Sequence, residues 1–181
     1  MRVPVLVISG PPGSGKTTVA WEIFDRLVLG GKCPAFVDID LLGACWPVED
    51  TDPDNDLVKA RNIGAVWANY FQAGSRCLIA AGVIESERIL NLYTESVVGA
   101  VPVVGRLRAR DGELERRILT RGRERGSGIG KLTARAFQLS RELDASDVSN
   151  FVVDTDGLNV AAVASAVLSR AGDWPSGLVQ G

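Results

Sequence analysis

The sequence predicts a three-layer α/β domain, a five-stranded parallel sheet with helices on both faces, and three observations predict it. Apolar β-branched runs alternate with stretches of helical periodicity almost throughout the 181 residues. The first of these runs passes through a glycine-rich loop directly into a helix. No repeat, low-complexity tract or linker interrupts the alternation, so the chain reads as one domain over 1–171. A loose tail is expected over 172–181, where Gly172, Pro175, Ser176 and Gly177 cluster.

Taken in order, Val3 to Ser9 reads as a buried strand, and Thr17 to Leu29 as a helix with Ala20, Ile23, Phe24 and Leu27 at helical spacing. Residues 33–40, "CPAFVDID", form a second strand ending in acid. The segment 55–73 repeats Leu57, Ala60, Ile63, Gly64, Trp67, Tyr70 and Phe71 on one helical face, which packs it on the sheet. Further strands are expected within 76–84, 97–109 and 150–155, and further helices near 85–94, 111–125, 131–145 and 157–170. Strands separated by helices imply right-handed crossovers and a parallel sheet. Ligands of such sheets gather beyond the carboxyl ends of the strands.

The loop after the first strand, "GPPGSGKTT", contains Gly10, four residues, then Gly15-Lys16-Thr17, the phosphate-loop pattern in its strand–loop–helix context. Gly10, Gly13 and Gly15 leave backbone N–H groups of the loop, Ser14 included, free to converge on phosphate oxygens. The helix beginning near Lys16 adds its positive dipole end. Lys16 reaches the terminal phosphates, the Thr17 hydroxyl suits magnesium, and Thr18 is a further donor to phosphate. The loop therefore predicts a nucleoside triphosphate with Mg2+.

Composition bounds the chemistry. The chain has no histidine, which excludes His-dependent triads, histidine zinc sites and phosphohistidine chemistry. Any general base is a carboxylate or a lysine. A net charge of −2 offers nucleic acid no global attraction. Cys33, Cys45 and Cys77 lack metal-type spacing and read as reduced residues of a cytoplasmic protein. The opening apolar run is too short for a signal peptide or a membrane span. Oligomeric state is not legible.

The strand ends supply the remaining candidates. Alternation along an extended second strand puts Asp38 and Asp40 on one side, near the phosphate loop. There a carboxylate can orient a hydroxyl and take its proton, or bind magnesium through water; otherwise the two acids cap a short helix. The third strand ends in Ala80, Ala81 and Gly82, without the Asp that many phosphate-loop ATPases and GTPases carry there. Eight arginines fall between Arg106 and Arg125, against 20 basic residues in the chain. Arg117, Arg121 and Arg125 are successive i, i+4 neighbours, either a stripe facing phosphate or a solvated face paired with Glu113, Glu115 and Glu124. The acidic segment 47–56 reads as a solvated loop, and Trp46 as core or lid packing or a stacking platform.

With these residues assembled, the chain resembles the phosphate-loop kinases of small molecules, among them adenylylsulfate kinases, gluconate kinases and chloramphenicol phosphotransferases. The resemblance spans about residues 3 to 170. "DIDLLGACWP" is similar to the segment of chloramphenicol phosphotransferases in which an Asp precedes a Pro by seven residues, which implies Asp40 as base. "VKARNIGAVWANYFQAGSRCLI" resembles a substrate-binding helix of adenylylsulfate kinases. That likeness implies an acceptor pocket from Asp38, Lys59, Arg61 and Asn62, although Lys59 stands where the family has Arg and lacks its planar fork. "DGELERRILTRGRERG" resembles the arginine-rich lid of these kinases, here about 111–130, and implies Arg117 and Arg121 as catalytic. The segment after the last strand, near Thr155 to Gly157, resembles one that approaches adenine. The resemblance implies transfer of the γ phosphate of ATP to a hydroxyl of a small molecule. A nucleoside or nucleotide kinase and a non-catalytic ATP-binding regulatory module remain the alternatives.

Overall fold

The computed structural model describes residues 2–121 and 127–176. Five strands, β1 (Val3–Ser9), β2 (Pro34–Asp38), β3 (Cys77–Ala81), β4 (Ala100–Arg108) and β5 (Phe151–Asp154), form one all-parallel sheet in the order β2-β3-β1-β4-β5. Helices α1 (Lys16–Leu29), α2 (Ile39–Leu42), α3 (Asp56–Gln72), α4 (Glu87–Glu95), α5 (Asp111–Arg121), α6 (Ser127–Asp144) and α7 (Val160–Arg170) make the crossovers. The predicted three-layer fold is the one found.

β1 lies at the sheet centre, and every residue in it is buried. Successive side chains of a strand point to opposite faces, so this run feeds two cores. Val3, Val5 and Val7 join Ile63 and Trp67 of α3 and Ile89 and Tyr93 of α4. Leu6 and Ile8 join Ala20 and Ile23 of α1 and Val163 and Val167 of α7. Each fully buried aliphatic side chain contributes roughly 1.5–3 kcal/mol of hydrophobic free energy. On α3, Ala60, Ile63 and Trp67 are buried as the periodicity requires, but Leu57 and Tyr70 are largely exposed.

Three expectations change. β2 ends at Asp38 rather than Asp40, because the Asp38 carboxylate accepts from Leu41 N (3.3 Å) and caps α2. The acidic segment is not merely solvated: Asp52 is buried and accepts from the backbone N–H groups of Asp56 (2.8 Å) and Leu57 (3.0 Å), which starts α3. Nor is the tail loose from residue 172, since Trp174 is only 6% exposed and packs into the α1–α7 core. Arg123 and Arg125 lie outside the described residues, as does the middle of the expected lid.

Candidate active site

The carboxyl ends of β1 and β2 meet at the phosphate loop. Gly10 crosses close under β4: a Cβ there would stand 2.5 Å from Leu107 O and 2.7 Å from Ser14 Oγ. No larger residue fits without opening the loop. Gly15 precedes α1 and offers no side-chain cap, so the first-turn N–H groups are left to a ligand. The Ser14 hydroxyl is buried without a hydrogen-bond partner, an unspent donor on the wall of a cavity of about 590 Å3.

That cavity runs from Gly13 to Val19 across α5, where Arg117 and Arg121 face it, to the β5–α7 segment, where Thr155 and residues Gly157–Val160 line it. It has the size of a pocket for a large ligand. Loop residues and cations line it together with the apolar Leu158, Val160 and Val163. Of the loop residues expected to bind phosphate, all line it but Gly10, which shapes the turn beneath.

Lys16 is the cation at the centre. Its Nζ donates to Pro11 O at 3.3 Å. Burial pushes its pKa below the usual lysine value, Asp40 and then Asp38 push it back up, and Arg121 pushes it down. The charges of Asp40, Asp38 and Arg121 therefore all reach Lys16. Thr17 Oγ1 donates to Asp38 Oδ2 at 2.9 Å. A hydroxyl and a carboxylate side by side form the hard-oxygen pair that Mg2+ takes when phosphates and water complete its shell. Among the described residues no three His, Cys, Asp or Glu side chains form a metal cage.

The bare end of β3 has a packing cause. A Cβ on Gly82 would stand 2.6 Å from Cβ of Ile39, so the first residue of α2 occupies the space a side chain would need. Asp38, which pairs with Ala81 across the sheet, stands there instead.

On the other side of Asp40 lies a smaller cavity of about 170 Å3, lined by Asp40, Asp54, Asp56, Lys59, Glu85 and Arg135 over Val83, Ile89 and Leu139. Of the expected acceptor residues, Lys59 lies here, its Nζ 3.2 Å from Asp56. Asp38 belongs to the Thr17 pair. Arg61 does not line this cavity, because two residues of helix turn it about 200° from Lys59 and leave it exposed. Asn62 is also absent from the lining: its amide donates to Leu42 O at 2.7 Å and ties α3 to α2. No sequence signal marks Arg135 and Glu85 as partners, since 50 residues separate them; they meet at 2.6 Å.

The arginine run is divided. Arg106 pairs with Asp144, Arg108 with Asp154 and Arg110 with Asp156. Arg116 and Arg117 both bind Glu113, whose carboxyl they hold down at about 2. Arg117 also donates to Thr155 Oγ1 (2.9 Å) and Thr155 O (3.0 Å), which fixes the β5–α7 segment against α5. Arg121 alone of the described arginines on α5 has no ion pair among the described residues, and its charge is the one that reaches Lys16. Trp46 is not core packing, being 88% exposed.

The sequence matches no family model and no curated protein. Solved structures match nearly its whole length. The tunicamycin resistance protein of Deinococcus radiodurans superposes with a TM-score of 0.66 at 21% identity, over 94% of this chain and 96% of that one. The APS kinase CysC of Mycobacterium tuberculosis, in complex with AMPPNP and APS, gives 0.61 at 17%, over 93% and 97%. A gluconokinase from Sinorhizobium meliloti gives 0.59 at 18%, over 94% and 93%. The sheet order, the loop and these likenesses agree: the chain has the fold of the phosphate-loop small-molecule kinases.

Proposed function

We propose that the protein is a magnesium-dependent kinase that transfers the γ-phosphoryl group of ATP to a hydroxyl of a small molecule. One observation carries the reading: Lys16 and Thr17 line the larger cavity, Thr17 is bonded to Asp38, and Asp40, two residues on, lines the smaller, which supports a nucleotide in the first and an acceptor in the second. Such a fold with such a loop is what a phosphoryl donor needs, and a separate charged cavity is what a non-catalytic module does not. The APS kinase neighbour, solved with AMPPNP, supports a nucleotide in the larger cavity.

In this mechanism the loop amides and Lys16 hold the triphosphate, with Ser14 and Thr18 as further donors. Thr17 and Asp38 would hold Mg2+, which when bound would neutralise phosphate charge. Asp40, in the first turn of α2, orients the acceptor hydroxyl and accepts its proton as the oxygen attacks γ-phosphorus. The bond from γ-phosphorus to the β–γ bridging oxygen breaks, and ADP leaves. Arg121 opposes the charge spreading over the transferred group. Arg117 acts through Thr155 and Glu113 as a positioning residue for the base end of the nucleotide.

The test is magnesium-dependent ADP release over a panel of hydroxylated metabolites and natural products. Asp40→Asn should abolish turnover, by at least about 100-fold, the usual contribution of a positioned base. ATP affinity should stay near wild type. Normal turnover by Asp40→Asn would refute the base assignment, and tight ATP binding with no ADP from any acceptor would refute the kinase.

A further inference from the structure

The smaller cavity also limits the kind of molecule it can receive, an inference that rests on the proposed kinase activity. Its two cations are already spent. Lys59 Nζ lies 3.2 Å from Asp56, and the Asp56 carboxylate also accepts from Tyr93 Oη at 2.6 Å. Arg135 lies 2.6 Å from Glu85 and 3.3 Å from Glu142. Four carboxylates therefore face two paired cations, which leaves Asp40 and Asp54 without a cation at ion-pair distance among the described residues. The field inside is negative. Glu85 registers it: burial first, then Glu142, Asp54 and Asp56, push its carboxyl up, although Arg135 pulls the other way.

An acceptor bearing phosphate, sulfate or carboxylate would have to break one of these ion pairs and sit against two unpaired acids. A cation meets the opposite situation, because it supplies the charge the cavity lacks. Size adds a second restriction. The cavity, of about 170 Å3 against about 590 Å3 for the one at the loop, suits a smaller molecule than its neighbour does, such as one substituted ring. Ile89 and Leu139 give that ring an apolar side to rest on.

We propose that the acceptor is a cationic amino alcohol of single-ring size, an amino sugar or aminocyclitol type of structure, whose ammonium group is held by Asp54 while a hydroxyl on the same ring is presented to Asp40. The chemistry is unchanged: the hydroxyl oxygen takes the phosphoryl group, Asp40 takes its proton, and the amine stays protonated and unreacted.

A mixed extract of bacterial metabolites and natural products is separated at pH 7 into cation-retained, neutral and anion-retained fractions. Glucosamine, N-acetylglucosamine and gluconate serve as single-ring or acyclic members of the three classes. Each is assayed with the full-length protein for magnesium-dependent ADP release. Activity is expected in the cation-retained fraction, and acetylation of its amines should remove at least tenfold of it. Asp54→Asn, at an exposed position with no structural hydrogen bond among those described, should raise KM for the active acceptor about tenfold, with kcat and KM for ATP unchanged. The inference is overturned, with the kinase reading intact, if the best acceptor elutes in the neutral or anion-retained fraction or survives acetylation unchanged. Absence of ADP release with every fraction, in protein that binds an ATP analogue, overturns the kinase reading and this inference together.

Discussion

Replacing Gly82 by Ala adds one methyl group at the point where β3 ends and α2 begins. The new Cβ would lie 2.6 Å from Ile39 Cβ, 3.1 Å from its Cδ1 and 3.2 Å from its Cγ1. Carbon atoms rest at about 3.5–4.0 Å, so the pair must separate by about 1 Å. The nearest atom is a Cβ, which no rotamer change can withdraw, so the backbone of α2 has to move. Ile39 is fully buried between β3 and α3, and overpacking of this kind costs about 1–3 kcal/mol. For a domain of this size each kcal/mol lowers Tm by about 2–4 °C, which predicts a fall of roughly 2–12 °C. Turnover should suffer more. Ile39 sits between Asp38 and Asp40, and a displacement of about 1 Å in a catalytic group can cost about 100-fold. ATP affinity, set by the loop on β1, should be almost unaffected. Gly112→Ala is the control, because a Cβ there meets nothing within 4 Å; inside α5 it should stabilise slightly. Differential scanning fluorimetry and ADP release read both effects. A Gly82→Ala protein with wild-type Tm and turnover would refute the argument that α2 packing excludes a side chain from the end of β3.

Three further outcomes rest on the same geometry. Asp52→Ala removes the carboxylate that caps α3 and should lower stability by about 0.5–2 kcal/mol, measured by urea unfolding; Asp50→Ala, on the exposed part of the same segment, should change it little. Arg117→Ala breaks two hydrogen bonds to Thr155 and should raise KM for ATP about tenfold with kcat less affected; a fall in kcat alone would place Arg117 at the transferred phosphate instead. Cys77 is buried, and burial pushes its thiol up to about 11, so at pH 8 a thiol reagent should modify exposed Cys33 and Cys45 in the native protein and reach Cys77 only on denaturation. Rapid native labelling of Cys77 would show that the α1 side of the sheet opens.

Much of the fold was legible because its signals are local. Strand, loop and helix at residues 3–29 require only composition and spacing, and the burial periods of α1 and α3 follow from a few apolar residues on one face. Local competition is what the pattern left open at Asp38, where a cap was the alternative, and missed at Asp52. Alternation predicted an extended Asp38-Ile39-Asp40, yet a carboxylate at the first of these positions can satisfy the N–H of Leu41 and turn the chain into a helix. Asp52, which read as solvent, acts as Asp38 does, and in both cases an acid starts a helix. Composition alone does not separate these uses.

The arginine run makes the same point for the site. Its density was the signal, but density is compatible with ion pairs as well as with a phosphate clamp. Charge is decided by partners, and the partners of Arg106, Arg108 and Arg110 come from residues 144, 154 and 156, far along the chain and adjacent only once β5 lies beside β4. Pairing removes those three and Arg116 from consideration, gives Arg117 to Thr155, and leaves Arg121 as the described arginine of α5 whose field reaches Lys16. The smaller cavity was hidden for the same reason, since Arg135 and Glu85 meet across 50 residues. A lysine and an arginine in a pocket suggest an anion until the acids that hold them are counted, and here the acids outnumber them. The charge a ligand would meet in this cavity is therefore set by which charges the fold leaves over, a quantity that exists only after the pairs have formed.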